Sequence, residues 1–506
     1  MTKITDAIHQ HPTGAFLAFM AVHTVVWTVL PAVYFLNLPL DIIEGLLYGR
    51  EWQLGYDKLP PLPWWMLEAT YRLFGPDLFF YALSQASIVV TFALIWLMAR
   101  QLVGAVGALV AILIIDGLHY YTFTAPKFNH DVIQLPFWAL TGYAYWAALR
   151  HGKTVHWMLL GLGIGMAVWA KYFIVVQAAP LALFALFDRE ARKTLATPGP
   201  WIAVAVALVV MSPHLVWLVQ NDFLPFAYAE ARAVNFKGAR DYLIKPSRFI
   251  MSQLGVLVPS LLIAAPYLRR DVRAPDPAAQ SGSELANAFD RRIVTLLTFG
   301  PGVMTVMLSL ATGRDVVHMW GYPLWLFLGV WIVLNARQLD RVTVGRIVFV
   351  WGVIFICTAA AYPVAYDLMQ PFRPKYSAML FPGDRLGAEM SRRYRAMTGQ
   401  PLAYVIGGMW EGGNIAHYAP EHPRVLIDAS PGRSPWIDLG DLRARGAIVI
   451  WPAGDPNVLP PSYRAIAEDA EIQPGFTLPM HRSGLTAAFG WAVLRPRPVV
   501  AGGPAN

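Results

Sequence analysis

Long apolar runs separated by short, basic turns fill the chain as far as about residue 366. The plainest are Ala15–Tyr34, Ala105–Ile115, Trp201–Val219, Ile293–Leu310 and Val348–Val364. A helix needs about 20 apolar residues to cross a bilayer. On that measure the pattern predicts about eleven spans, at 14–36, 77–99, 103–121, 132–149, 156–170, 173–187, 198–219, 249–268, 293–311, 318–335 and 345–366. The two between 156 and 187 are short and meet at Lys171, as a re-entrant pair or one broken helix would. Beyond Tyr366 the pattern changes. Gly, Pro and charge rise, and only short apolar stretches remain (Leu402–Ile406, Val425–Ile427, Ala447–Trp451), which read as strands. Residues 385–399 read as a helix with Met390 and Tyr394 on one side. The expected fold is therefore a polytopic all-α membrane domain, residues 1–369, followed by a small soluble α/β domain, residues 370–506. No internal repeat is visible, and residues 271–290 form a polar loop.

Composition sharpens this. Of the 506 residues 56% are hydrophobic and only 14% charged, against about 25% charged in a soluble domain. The net charge of +8 is not a nucleic-acid signature, because much of it lies in short loops between apolar runs. With the N-terminus in the cytoplasm, those loops hold Arg100; Arg150 and Lys153; Arg189, Arg192 and Lys193; Arg269, Arg270, Arg273, Arg291 and Arg292; and Arg337, Arg341 and Arg346. That is the positive-inside pattern. It makes the chain a multi-pass inner-membrane protein with a periplasmic C-terminal domain. The first run is too long for a signal-peptide core and is expected to stay as an uncleaved span. The single cysteine, Cys357, lies in an apolar run, so no intrachain disulfide can form.

The polar residues of the outer face carry the chemistry. Residues 37–76 hold Asp41 and Glu44, three apart and so on one face of a helix. The apolar stretch Ile42–Leu47 around them is expected to lie in the membrane interface. Lys58 follows in YDKLPPLPWW, where prolines stiffen the backbone and Trp64 and Trp65 suit an aromatic belt. An acid, a cation and an aromatic anchor in one loop suit a lipid phosphate; an amphipathic surface helix with its charges in water is the plainer reading. The second outer loop, APKFNHDVIQLP, holds Lys127, Asn129, His130 and Asp131. Asp131 is either a functional acid or a helix N-cap. His130 beside it invites a metal reading, but adjacent residues do not share a helix face, and no metal site is assigned. Lys171, within an apolar stretch, is either a functional cation or a snorkelling one. The loop after the seventh span carries Gln220, Asn221 and Asp222, then Arg232, Lys237, Arg240, Lys245 and Arg248, cations suited to a phosphate or an anionic acceptor, or else a solvated loop, which is the reading taken for Arg240. Arg314, Asp315 and His318 crowd a very short outer loop, where dense charge requires partners.

These motifs resemble the C-type glycosyltransferases, in particular the bacterial relatives of protein O-mannosyltransferases and of the aminoarabinose transferases that modify lipid A. The resemblance rests on an acid after the first span and, about fifteen residues later, the Lys-x-Pro-Pro-Leu-Pro-Trp-like segment. It extends more weakly to PHLVWLVQNDF (Pro213–Phe223) and to the WPAGDP region. It implies that Asp41 is the first-loop catalytic aspartate, that Lys58 contacts the carrier phosphate, and that Asp131 fills the place of a second-loop acid. The sequence departs from the family's adjacent acid pair, since Ile42 follows Asp41 and Glu44 comes later.

The reaction so implied moves a sugar from a polyprenyl-phosphate donor, such as undecaprenyl phosphate, to a lipid, glycan or protein acceptor, inverting the anomeric carbon. Catalytic candidates are Asp41, Asp131 and Glu44. Lys58, Arg314, Lys171 and His318 are candidates for the donor phosphate, and Asn129, His130, Asp222, Arg232 and Lys245 for substrate. No cofactor is required, and the scheme is compatible with a divalent metal. Neither a P-loop nor a GxGxxG follows a strand, in keeping with a lipid-linked donor. Two other classes stand beside this one. A secondary transporter would put ionisable groups near mid-membrane and often show inverted repeats. A non-catalytic envelope assembly protein would not need the acid and lysine of the first loop.

Overall fold

The computed structural model describes residues 2–268, 285–335, 339–452 and 454–497. Arg269, Arg270, Arg273 and Arg337, most of the 271–290 loop and Ala453 of the WPAGDP segment lie outside the described residues. The chain divides into two compact units: Met1–Leu30, Asp57–Pro63 and Leu78–Ala361, and Pro31–Tyr56, Trp64–Asp77 and Tyr362–Asn506. Most of the first outer loop thus groups with the C-terminal residues.

The first unit is helical. Among the described residues six helices are long and apolar enough to cross a membrane: Pro12–Tyr34, Leu78–Asp116, Pro198–Gln220, Ala239–Leu268, Ala288–Thr312 and Arg341–Leu368. The protein is an integral membrane protein. The difference from eleven expected spans has local causes. The spans expected at 77–99 and 103–121 correspond to two helices that meet at a non-helical break at Gly104, whose φ of +73° a side chain would disfavour, and the run Leu78–Asp116 that joins them counts once among the six. At Lys171 the helices Thr154–Ala170 and Val175–Phe187 meet through a single 3-10 turn, Tyr172–Ile174, giving the broken helix rather than two full spans. The span expected at 318–335 is a 3-10 turn, His318–Gly321, further turns, and the short helix Leu328–Asn335.

Helix contact in this unit uses small residues, as expected where lipid offers no hydrophobic drive between helices. A β-carbon at Gly161 would strike the Ala203 carbonyl oxygen, and one at Gly165 would lie 2.8 Å from Val210 Cβ. These glycines, four apart on Thr154–Ala170, let Pro198–Gln220 approach closely. Polar ties do the rest. Asp290 closes a capping box with Asn287 and also takes Trp146 Nε1 (2.9 Å) and the Arg150 guanidinium. Within the membrane helices, His23 Nδ1 lies 2.8 Å from Asp116 Oδ1, and Trp351 Nε1 donates to Asp116 Oδ2 at 2.7 Å.

The second unit contains a five-stranded sheet in the order β2-β1-β3-β5-β4: β1 Tyr404–Gly407, β2 Arg424–Ile427, β3 Ala447–Pro452, β4 Glu471–Pro479 and β5 Thr486–Leu494. β1 pairs in parallel with β2 and β3, and the β4–β5 hairpin adds on antiparallel. The three expected strands are β1 to β3. They are continuous apolar runs because parallel strands are covered on both faces. The expected helix at 385–399 is Gly383–Thr398, with Met390 and Tyr394 fully buried. The hairpin was not expected: β4 is a largely exposed edge strand, interrupted by an irregularity between Gln473 and Phe476.

In the same unit, the helix Leu40–Gly49 corrects two expectations. Ile42, Ile43, Leu46 and Leu47 are buried among protein atoms rather than laid in a membrane interface. Trp64 is not a belt residue: it is 1% exposed and stacks on Tyr48, with ring centroids 4.5 Å apart. Tyr56 closes the group, donating from its hydroxyl to the Tyr48 carbonyl at 2.7 Å.

Candidate active site

In the first unit, three segments distant in sequence converge: the Lys58–Pro60 stretch, the start of the helix His130–His151, and the break at Lys171. Asn129 is the N-cap. Its side-chain oxygen accepts from the amides of Asp131 (2.9 Å) and Val132 (3.2 Å). Asp131 is therefore not the cap. It stands in the first turn, where the helix dipole favours a carboxylate. Its Oδ1 accepts from Gln134 Nε2 at 2.9 Å and from Lys171 Nζ at 2.6 Å. Lys171 reaches it because the helix ends there in extended backbone; its ammonium also lies 5.9 Å from the ring centres of Phe173 and Trp320. His130 Nε2 lies 3.0 Å from the Pro60 carbonyl oxygen. A carbonyl only accepts, so this nitrogen carries the proton and ties the lysine-proline segment to the second outer loop.

A second cluster forms around Tyr228. Lys58 Nζ lies 5.9 Å from its ring centre and the Arg232 guanidinium 5.6 Å, and Arg232 also donates to the Tyr228 hydroxyl at 2.8 Å. One aromatic ring thus carries two cations, Lys58 from the first outer loop and Arg232 from the last turn of Tyr228's own helix, Leu224–Arg232. Arg314 pairs with Glu230, and Lys245 Nζ with Asp315 at 2.8 Å. At His318 the backbone carbonyl accepts from Tyr120 (2.9 Å) and Gln253 (3.0 Å). Asp222 lies in the turn between two helices with φ of +50°, a left-handed conformation unusual for a side-chain-bearing residue.

Asp41 and Glu44 belong to the second unit. Both sit on Leu40–Gly49, Asp41 half-buried in the first turn and Glu44 only 5% exposed. Three residues apart, they nonetheless differ in access to solvent, which suits Asp41 better for contact with a substrate.

Residues 58–217 match the family model of dolichyl-phosphate-mannose-protein mannosyltransferases, a stretch that begins at Lys58 itself. The chain is a relative of the C-type glycosyltransferases. Among curated relatives, the lipopolysaccharide core galacturonosyltransferase RgtB of Rhizobium johnstonii is 24% identical over 84% of this chain and 85% of its own length. RgtA of the same organism, also a lipopolysaccharide core galacturonosyltransferase, is 23% identical over 95% and 96%. The crystal structure of ArnT from Cupriavidus metallidurans bound to undecaprenyl phosphate superposes with a TM-score of 0.58 at 14% identity, covering 97% of this chain and 100% of that one. At that identity the likeness shows a shared C-type fold.

Several residues of this glycosyltransferase relative escaped sequence reasoning. Tyr228 lies on the short helix Leu224–Arg232 and gains meaning only through Lys58 and Arg232. His214, fully buried, faces the Tyr172 hydroxyl at 2.8 Å beside the Lys171 break. The PHLVW segment was legible as a family feature, but the histidine's partner was not.

Proposed function

We propose that the protein transfers a sugar, in our reading a uronic acid, from a polyprenyl-phosphate carrier to a lipopolysaccharide core or lipid A acceptor on the outer face of the inner membrane. The observation that carries this is the paired presentation of Lys58 and Arg232 on Tyr228. The relatives named above support the choice of sugar and acceptor, and the undecaprenyl phosphate of the ArnT structure supports the carrier.

In this reading an acceptor hydroxyl attacks the anomeric carbon from the face opposite the phosphate. The bond between that carbon and the phosphate oxygen breaks, the electron pair stays on the oxygen, and the configuration inverts. Charge grows on the leaving phosphate, so cations beside it stabilise the transition state more than the ground state. Lys58 and Arg232 fill that role, while Asp41 takes the acceptor proton as general base. Asp131 and Lys171 form a buried strut behind the phosphate-binding segment. Arg314 and Lys245, each held by an acid, shape the outer loops. The scheme needs no metal.

The test is transfer in detergent from a panel of polyprenyl-phosphate sugars to lipopolysaccharide, comparing wild type with Asp41→Asn. Wild type is expected to transfer one sugar class, and the variant to bind donor without turning over. Equal turnover in both would remove Asp41 from the mechanism. Failure of the wild type on every donor, with acceptor supplied, would overturn the transferase reading.

A further inference from the structure

The second unit contains a cavity of about 370 Å³, within the range of small-ligand sites. Its walls come from the C-terminal end of Leu40–Gly49, from Leu62–Phe74 and from Met409–Tyr418. Three guanidinium groups face it, those of Arg50, Arg72 and Arg424, against two carboxylates, Glu51 and Glu68. The carboxylates are already engaged: Arg424 holds Glu51 through two nitrogens, at 2.6 and 3.3 Å, and Arg72 holds Glu68 at 2.7 Å. Arg50 is left with backbone partners. It donates to the carbonyls of His422 (3.1 Å) and Pro423 (3.0 Å), and Glu51 stands 3.8 Å away. Burial lowers its pKa from the ordinary guanidinium value; Glu51 and Glu68 oppose that effect, and Arg424 and Arg72 add to it. The charge balance of the walls is positive, centred on Arg50. The rest of the lining is mixed. Tyr71 packs edge-on against the rings of His417 and His422, and Leu46, Leu47 and Ala416 give an apolar floor.

Fixed cations beside an aromatic wall and an apolar floor match a sugar ring that bears an acidic group. We propose that this cavity binds an anionic saccharide, its phosphate or carboxylate held by Arg50 and Arg72 and its ring against Tyr71. The role assigned to it rests on the transferase reading: it is an acceptor subsite. Arg50 directly follows the helix whose first turn holds Asp41. Nine residues of helix rise separate the two, about 13 Å, roughly the reach of two sugar residues. The subsite therefore holds an acidic group about two sugars from the hydroxyl that reacts, and so selects charged over neutral acceptors.

Binding is measured on the full-length protein in detergent by 31P NMR line broadening of glucose 1-phosphate, with competition by glucose and by glucuronic acid. Saturable broadening is expected, displaced by glucuronic acid and not by glucose. Arg72→Gln, at an exposed side chain, and Arg50→Lys, which keeps the charge but loses the fork, should each weaken binding about tenfold. Arg341→Gln, at an exposed arginine of the other unit, should bind as wild type does. Absence of saturable binding, or binding unchanged in both arginine variants, would overturn the proposal. So would a site occupied only by phosphatidylglycerol in nanodiscs without competition from the sugar phosphate, since the ligand would then be a lipid headgroup. Loss of transfer with sugar-phosphate binding intact would count against the transferase reading and leave the binding site standing.

Discussion

Lys171 and Asp131, forty residues apart, meet at 2.6 Å, with side chains only 13% and 10% exposed. Each was a separate candidate in the sequence, one for phosphate and one for base chemistry. As a pair they neutralise each other in a water-poor setting. Breaking such a pair from one side leaves a stranded charge, at a cost of about 3–5 kcal/mol, whereas replacing both partners costs far less. Thermal unfolding in detergent should therefore show a marked loss for Lys171→Met and for Asp131→Asn, and substantial recovery in the double variant. A Lys171→Met protein as stable as wild type, with only its KM for donor raised, would instead place Lys171 on the phosphate.

Lys58 and Arg232 share Tyr228, and the transferase reading assigns them the leaving phosphate. Removing one such cation should lower kcat by about 10²–10³, the usual cost of losing one donor to developing negative charge. Lys58→Ala is expected to fall in that range under saturating donor, with Lys58→Arg retaining more. Tyr228→Leu takes away the ring but neither charge. Its effect should be smaller, up to about tenfold, and visible in donor KM.

The His23–Asp116 pair is enclosed by Phe19, Trp27, Phe92 and Phe355, with Trp351 on the second carboxylate oxygen. A transporter would need such a group to meet water or an ion; here both acceptor oxygens face helix partners. His23→Ala should lower the unfolding midpoint strongly, and His23→Leu combined with Asp116→Asn should lower it less. Sugar transfer at a temperature where each variant stays folded should be preserved in both.

Gly49 has no room for a side chain, because a β-carbon would meet the Trp64 carbonyl oxygen and carbon. That obstacle is backbone and cannot swing aside. Gly49→Ala should destabilise the protein by roughly 1–3 kcal/mol or more, read as a lowered midpoint or loss of folded yield. A neutral outcome would mean that Leu40–Gly49 and Leu62–Phe74 do not pack as closely as described.

Glu411, in the first turn of Met409–Tyr418, has its pKa raised by burial, with the Asp428 carboxylate adding to the effect. A raised acid binds its proton more tightly in the folded state, so its contribution is full below the ordinary glutamate range and is lost as pH rises through the folded pKa. Stability should therefore fall over that upward interval, and Glu411→Gln should flatten the fall. Parallel pH profiles for wild type and variant would assign the dependence to another group.

Much of the architecture was legible because its causes are local. Apolar runs of spanning length, basic short loops and a late change to short apolar stretches depend only on neighbouring residues, and the helices Pro12–Tyr34, Pro198–Gln220 and Ala288–Thr312 and strands β1 to β3 follow them closely. The order of Asp41 and Lys58 along the first outer loop was likewise enough to suggest the family, and its match begins at Lys58. What the sequence could not determine is which residues complete one another. Tyr228 under Lys58 and Arg232, Asp131 against Lys171, His23 against Asp116 and Arg50 on the His422 and Pro423 carbonyls are all products of chain segments meeting far from where they were read. Hydrophobic periodicity is a one-dimensional signal and survives in the sequence; charge compensation and burial depend on distances in three dimensions, and only the tertiary structure decided them.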